Sequence, residues 1–147
     1  MKFPSYDNAA HGVSLIHAAQ LFLIEGIQKH PDGVTFDLCR GRVRRIRSDE
    51  YVASVRRHER TFLTKPNIAC IVSWLSLAWD SLGRRGHYAG AWPRPVDAAQ
   101  VVDVSVVFRS RRAALLFAEL NGQDAVFCGR TGRCIPVRPT RRRRPAA

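Results

Sequence analysis

Apolar positions along this chain follow two rhythms, one returning every three or four residues and one every second residue, with glycine, proline and aspartate between them. Over residues 9–30, Val13, Ile16, Ala19 or Gln20, Leu23, Ile24 and Ile27 recur at helical spacing, and Pro31-Asp32-Gly33 then supplies turn chemistry. The pattern predicts a helix with one buried face. From residue 34 the rhythm changes, because Val34, Phe36 and Leu38 alternate with polar partners and Arg40-Gly41 offers a tight turn into residues 42–46. A third strand is expected over residues 51–57, running on toward Phe62, with residues 47–50 as its connection.

Helical spacing returns after Thr64, which is placed to cap a helix holding Pro66 in its first turn. Ile68, Val72, Leu75, Trp79 and Leu82 fall on one stripe with Ile71, Trp74 and Ala78 beside it, and Gly83-Arg84-Arg85-Gly86 ends the helix. Strands are predicted at residues 87–92 and 101–108, around a loop with Pro93 and Pro95. Ser110 caps a helix over residues 111–120, closed by Asn121-Gly122, and residues 124–127 and 133–137 form two last strands. The sum is an α+β domain with a mostly antiparallel sheet and about three helices, in the order αβββαββαββ. Residues 1–137 make one basic domain, and residues 138–147, an arginine block between prolines without an apolar anchor, a disordered tail.

Length and composition limit the possibilities further. A chain of 147 residues suits one core. The richest apolar stretch, residues 68–82, is broken by Ser73, Ser76, Asp80 and Ser81, short of the ~20 apolar residues of a membrane span. The amino terminus, with Pro4, Asp7 and Asn8, lacks the apolar centre of a secretory signal, so a cytoplasmic location is expected. Cys39, Cys70, Cys128 and Cys134 lack zinc-site spacing and are expected as thiols; Cys128 and Cys134 flank a hairpin turn where disulfide reach is conceivable.

Charge changes the picture most. Lysine and arginine number 24 against 12 acidic residues, a formal +12, and all but Lys2, Lys29 and Lys65 are arginine. Arginine forks suit phosphate, although a G+C-rich genome also favours arginine codons. Taking away the five arginines of residues 138–147 leaves +7, so the body is basic without its tail. Two clusters stand out: the run Arg141, Arg142, Arg143 and Arg144, and the set Arg40, Arg42, Arg44, Arg45, Arg47, Arg56, Arg57 and Arg60. By the two-residue strand period Arg40, Arg42 and Arg44 share one face of the first hairpin. Either that face meets an acidic partner or its arginines are a solvated surface that pairs with Asp37, Asp49, Glu50 and Glu59. Arg111-Arg112 opens a helix, against its dipole, and either faces a partner or is tolerated at small cost.

No catalytic signature emerges from His11, His17, His30, His58 and His87 with the scattered Ser, Cys and Asp residues. Gly129-Arg130-Thr131-Gly132 lacks the lysine and following helix of a phosphate loop. We therefore expect no enzyme, cofactor or metal site. Trp74 and Trp79 read as core, whereas Tyr88 and Trp92, beside Pro93-Arg94-Pro95, offer stacking surfaces next to cations.

His87 to Trp92, then Val102-Asp103-Val104-Ser105, Arg112-Ala113-Ala114, Asn121-Gly122-Gln123, Ala125-Val126 and Gly132-Arg133-Cys134-Ile135, resembles a pattern in a group of small uncharacterised proteins of actinobacteria and their phages. The resemblance covers about a third of the chain, within residues 87–137. Val102 replaces a leucine of the pattern, Gly122 splits Asn121 from Gln123, and Cys128 stands near an acidic position. No activity is established for the group, so the resemblance implies a fold unit and a mobile-element setting and assigns no site residue. The residues themselves favour a non-enzymatic accessory or regulatory protein that contacts DNA or RNA through Arg40, Arg42, Arg44, Arg45, Arg57 and the tail arginines 141–144. The alternative is a phage- or plasmid-type accessory protein that binds an acidic surface of a host protein.

Overall fold

The first helical pattern folds as α1 (Asn8–Leu21) and continues as a π-helical segment (Phe22–Gln28) in the computed structural model, which describes residues 8–137 and the side chains from Leu15 onward. Of the predicted apolar stripe Ala19 and Ile27 are buried and Leu23 packs against the core, whereas Ile16 and Ile24 are 47% and 49% exposed and Leu15, Ala18 and Phe22 are buried instead. A π-turn bonds i to i+5, so Phe22 and Ile27 share the inner face and Ile24 turns outward. The side chains of His11 and Val13, and the tail, lie outside the described residues.

Strand β1 (Val34–Asp37) loses Leu38 to a turn of four, residues 38–41, and β2 (Arg42–Val43) starts where expected but ends before residues 44–46, which leave it for the connection to the next strand. Then come β3 (Tyr51–Phe62), α2 (Ile68–Leu82), β4 (His87–Pro93), β5 (Gln100–Phe108), α3 (Arg111–Leu120), β6 (Ala125–Cys128) and β7 (Arg133–Pro136). The fold is α+β, with three helices and seven strands among the described residues, in the predicted order. Ser110 caps α3 as expected, its hydroxyl accepting from the Ala113 N–H at 3.1 Å. The cap of α2 is Asn67 rather than Thr64, since the Asn67 carboxamide oxygen accepts from the Cys70 N–H at 3.0 Å. Asn67 directly precedes the first helical residue, where a side-chain acceptor reaches the free N–H groups.

All strand pairs are antiparallel, in the spatial order β2-β1-β4-β5-β3-β6-β7, and the sheet is curled. The helices cover one face. Val34 and Phe36 of β1, Ala89 and Ala91 of β4 and Val102 and Val104 of β5 pack with Phe22 and with Ile71, Trp74, Leu75 and Trp79 of α2. A smaller cluster joins Ala53 and Val126 to Ala114 and Ala118 of α3.

Alternation sends the intervening residues, Tyr88, Gly90, Asp103, Ser105 and Ser54, to the other face. Residues 44–50 leave β2 at one edge and reach β3 beyond β4 and β5, so they cross that face. Gly129 makes the crossing fit: a Cβ there would overlap the Arg47 carbonyl oxygen. Gly90 does the same for the Ser105 hydroxyl and the Asp103 carboxylate, whose space a Cβ would occupy. Cys128 is opposite Arg133 and Cys134 opposite Phe127, so the two thiols take opposite faces of the last hairpin and are not joined.

Candidate functional site

A break in the β3–β5 ladder positions the candidate site. Pairing runs in register to Val55 opposite Val104 and resumes at Arg60 opposite Val102, leaving residues 56–59 of β3 opposite Asp103 alone. Such a bulge bends its strand and re-aims side chains. The Trp74 indole N–H donates to the His58 carbonyl at 2.6 Å, tying the bulge to α2.

The bulge forms one wall of an open cleft of about 850 Å³ between the C-terminal ends of α2 and α3. Arg56 and Arg57 come from the bulge, Ser81 from the last turn of α2, Arg84 from the turn that follows and His87 from the start of β4. Glu119 and Leu120 of α3 and Asn121 beyond it line the opposite side. None of Arg56, Arg57 and Arg84 makes an ion pair with a carboxylate among the described residues. Arg57 Nε donates to His58 Nε2 at 3.0 Å, an imidazole that brings no negative charge. Arg84 also sits at a helix C-terminus, where a cation is favoured.

Both histidines register that positive field. Burial, then the charges of Arg57 and Arg84, push His58 below the ordinary imidazole range. Burial likewise pushes His87 down, with Arg84 adding to the effect and a bond to the Arg85 carbonyl opposing it. That carbonyl can only accept, so His87 Nδ1 carries the proton at 3.1 Å and Nε2 keeps its lone pair. The site is therefore cationic through its guanidiniums, with neutral imidazoles close by.

The residues predicted for binding fall in different places. Arg57 is in the cleft. Arg42 is exposed on β2, Arg45 is exposed in the crossing segment, and Arg40 lies in the turn before β2 with its Nε 3.8 Å from an Asp37 carboxylate oxygen. Arg42 and Arg44 share the helix-free side by strand alternation, but the turn takes Arg40 out of that register. Arg44 is already engaged: two of its nitrogens donate to Glu50 at 2.7 and 2.8 Å, and its guanidinium lies 5.4 Å from the Tyr88 ring centroid. The Arg44 hydrogen bonds hold the Glu50 carboxyl down to about 2. Tyr88 is thus covered, and Trp92 leans against Gly90. Asp49 and Glu59 form no ion pair among the described residues. Arg141–Arg144 lie outside those residues.

Sequence reasoning passed over Arg84, read as a helix end, and weighed His87 only as one of five scattered histidines without a catalytic signature. One signal was available for the bulge: Arg56-Arg57-His58-Glu59-Arg60 is five polar residues in a row, and a paired strand buried on one face should not lose its alternation for so long.

Asp103 occupies the other side of the sheet, fully buried; one carboxylate oxygen accepts from the Ser105 hydroxyl at 2.9 Å, and the other has no hydrogen-bond partner among the described residues. Burial pushes its carboxyl up to about 7, with Ser54 and Ser105 working against that rise. Among the described residues no group of three or more His, Cys, Asp or Glu side chains could hold a metal, and no helix is long and apolar enough to cross a membrane. Comparison with family models, curated proteins and solved structures finds no match for the chain.

Proposed function

We propose that this protein is a non-enzymatic nucleic-acid-binding accessory or regulatory protein, of cytoplasmic location and mobile-element setting, whose cleft arginines, exposed Arg42 and Arg45 and tail arginines Arg141–Arg144 contact phosphates. The observation that carries this reading is the convergence of Arg56, Arg57 and Arg84 in one cleft without a carboxylate partner. Bringing like charges together unpaired is unfavourable, and an anion relieves it. Phosphate contacts release counterions, so affinity should fall steeply with salt, by about 0.9 in logarithmic slope for each phosphate contact on a duplex.

The test is oligonucleotide binding by the full chain over a salt series, beside a chain lacking residues 138–147. Tight binding at low salt, with a slope that flattens in the truncated chain, is expected. No binding at low salt sinks the reading, and a complex with an acidic host protein that survives nuclease favours the alternative partner class.

A further inference from the structure

We propose that the cleft is a site for a phosphomonoester dianion, the terminal phosphate of a nucleotide or of a nucleic-acid strand, held by Arg56, Arg57 and Arg84. This rests on the nucleic-acid reading and narrows it. Three guanidiniums against the single carboxylate of Glu119 leave the lining with a net of two positive charges while His87 is neutral. An internal phosphodiester carries one negative charge, whereas a terminal monoester approaches two near neutral pH. The charge count matches the terminal group. So does the donor count, since three planar forks offer more N–H groups than the two free oxygens of a diester can accept.

Size and lining agree. At about 850 Å³ the cleft is within the range of small-molecule sites, far larger than a lone phosphate needs. Phe117, Leu120 and Val55 supply apolar surface beside the cations, suited to the sugar and base that a terminal phosphate carries.

His87 gives the site a second property. Arg84 from the turn after α2 faces it, Arg56 and Arg57 line the cleft from β3 and Glu119 from α3, and its Nδ1 is fixed on the Arg85 carbonyl. Burial first and the Arg84 charge second disfavour the imidazolium, and the attraction of a bound dianion opposes both, so the His87 ring takes up a proton from solvent. Binding is coupled to proton uptake.

The experiment uses the full chain and calorimetry, with oligonucleotides of one sequence ending in 5′-phosphate, 3′-phosphate or hydroxyls only, and with a nucleoside monophosphate beside its nucleoside. A terminal phosphate should improve affinity about tenfold or more, the effect of charge-assisted hydrogen bonds. Arg84→Ala and the milder Arg57→Lys weaken every strand, and they should also remove that gain, so that phosphorylated and hydroxyl-ended strands bind alike. Between about pH 8 and 6.5 the affinity for the phosphorylated ligand should rise as pH falls, with proton uptake in buffers of different ionisation heat, and His87→Gln should abolish both. Equal affinity for phosphorylated and hydroxyl ends, with salt-dependent binding intact, overturns the site and leaves the broader reading standing. Binding of the nucleoside monophosphate without any oligonucleotide binding keeps the site and overturns the broader reading. Failure of every ligand at low salt overturns both.

Discussion

Two arginine-rich regions of the folded body, the first hairpin and the cleft, are alike in composition but differ in how their arginines are paired. Around the first hairpin Arg44 is bound by Glu50 and covers Tyr88, and Arg40 is beside Asp37. In the cleft Arg56, Arg57 and Arg84 have no carboxylate partner among the described residues. Counting cations along the chain treats both regions equally. Local pairing separates them, because a neutralised guanidinium fastens the fold and an unpaired one is available to a ligand.

The largest effect should come from breaking the paired region. Glu50 is 3% exposed and the Arg44 side chain 24%, so Glu50→Ala strands a partly buried cation and should cost about 3 kcal/mol in urea unfolding. The pH dependence follows from a carboxyl held at about 2 when folded against an ordinary 4.5. Its contribution is present above about pH 4.5 and is lost as pH falls toward 2. Nucleic-acid affinity per folded molecule should change little. An unchanged stability for Glu50→Ala would mean that Arg44 is as free as the cleft arginines.

Asp103 offers the same contrast in a carboxylate. Glu50 has an arginine and titrates low, whereas Asp103, fully buried beside serines with the Glu59 charge adding to the rise, titrates near 7. The sign reverses: a raised folded value makes its contribution full below about 3.8 and lost as pH rises through about 7. Relative to Asp103→Asn, the natural protein should lose of order 1 kcal/mol of stability per pH unit across that interval. Unfolding of both proteins at pH 5 and pH 8 measures it. Parallel stability curves would show that the Asp103 carboxyl is solvated and ordinary.

Much of this fold was legible in the chain, and what escaped has identifiable causes. The element order followed from punctuation that acts locally, such as Pro31-Asp32-Gly33, the Ser110 cap and Asn121-Gly122. Phe22 escaped the first helical stripe because the π-segment places it with Ile27, a spacing that a 3.6-residue repeat assigns to different faces. The hairpin arginines were visible as a cluster, but the long-range bond from Arg44 to Glu50 was only one of several pairings open to them. The cleft escaped because it draws on β3, the end of α2 and the end of α3. Only the loss of alternation over residues 56–60 hinted at it.

In the cleft itself, Arg56→Ala, Arg57→Ala and Arg84→Ala should each lower the logarithmic salt slope of oligonucleotide binding by up to about 0.9 and weaken affinity about tenfold at low salt. Stability should stay within about 0.5 kcal/mol, since no ion pair is broken. This separates the regions from the other direction. Loss of stability without loss of affinity would make the cleft arginines structural, like Arg44.

The smallest effects should come from Arg42→Ala and Arg45→Ala, which decide how far the binding surface extends. Both residues are exposed, and neither forms an ion pair among the described residues, so on pairing alone they resemble the cleft set. They differ in convergence. Arg42 is on the edge strand, with β1, β4 and β5 between it and β3, and it does not line the cleft. A single solvated arginine contributes one screened charge, so each substitution should reduce the salt slope by less than a cleft substitution does and leave terminal-phosphate preference intact. Stability should again move by no more than about 0.5 kcal/mol. Slope losses equal to those of Arg56→Ala would place the hairpin and the cleft on one continuous phosphate-binding surface, and the pairing of Arg44 with Glu50 would then be the internal brace of that surface.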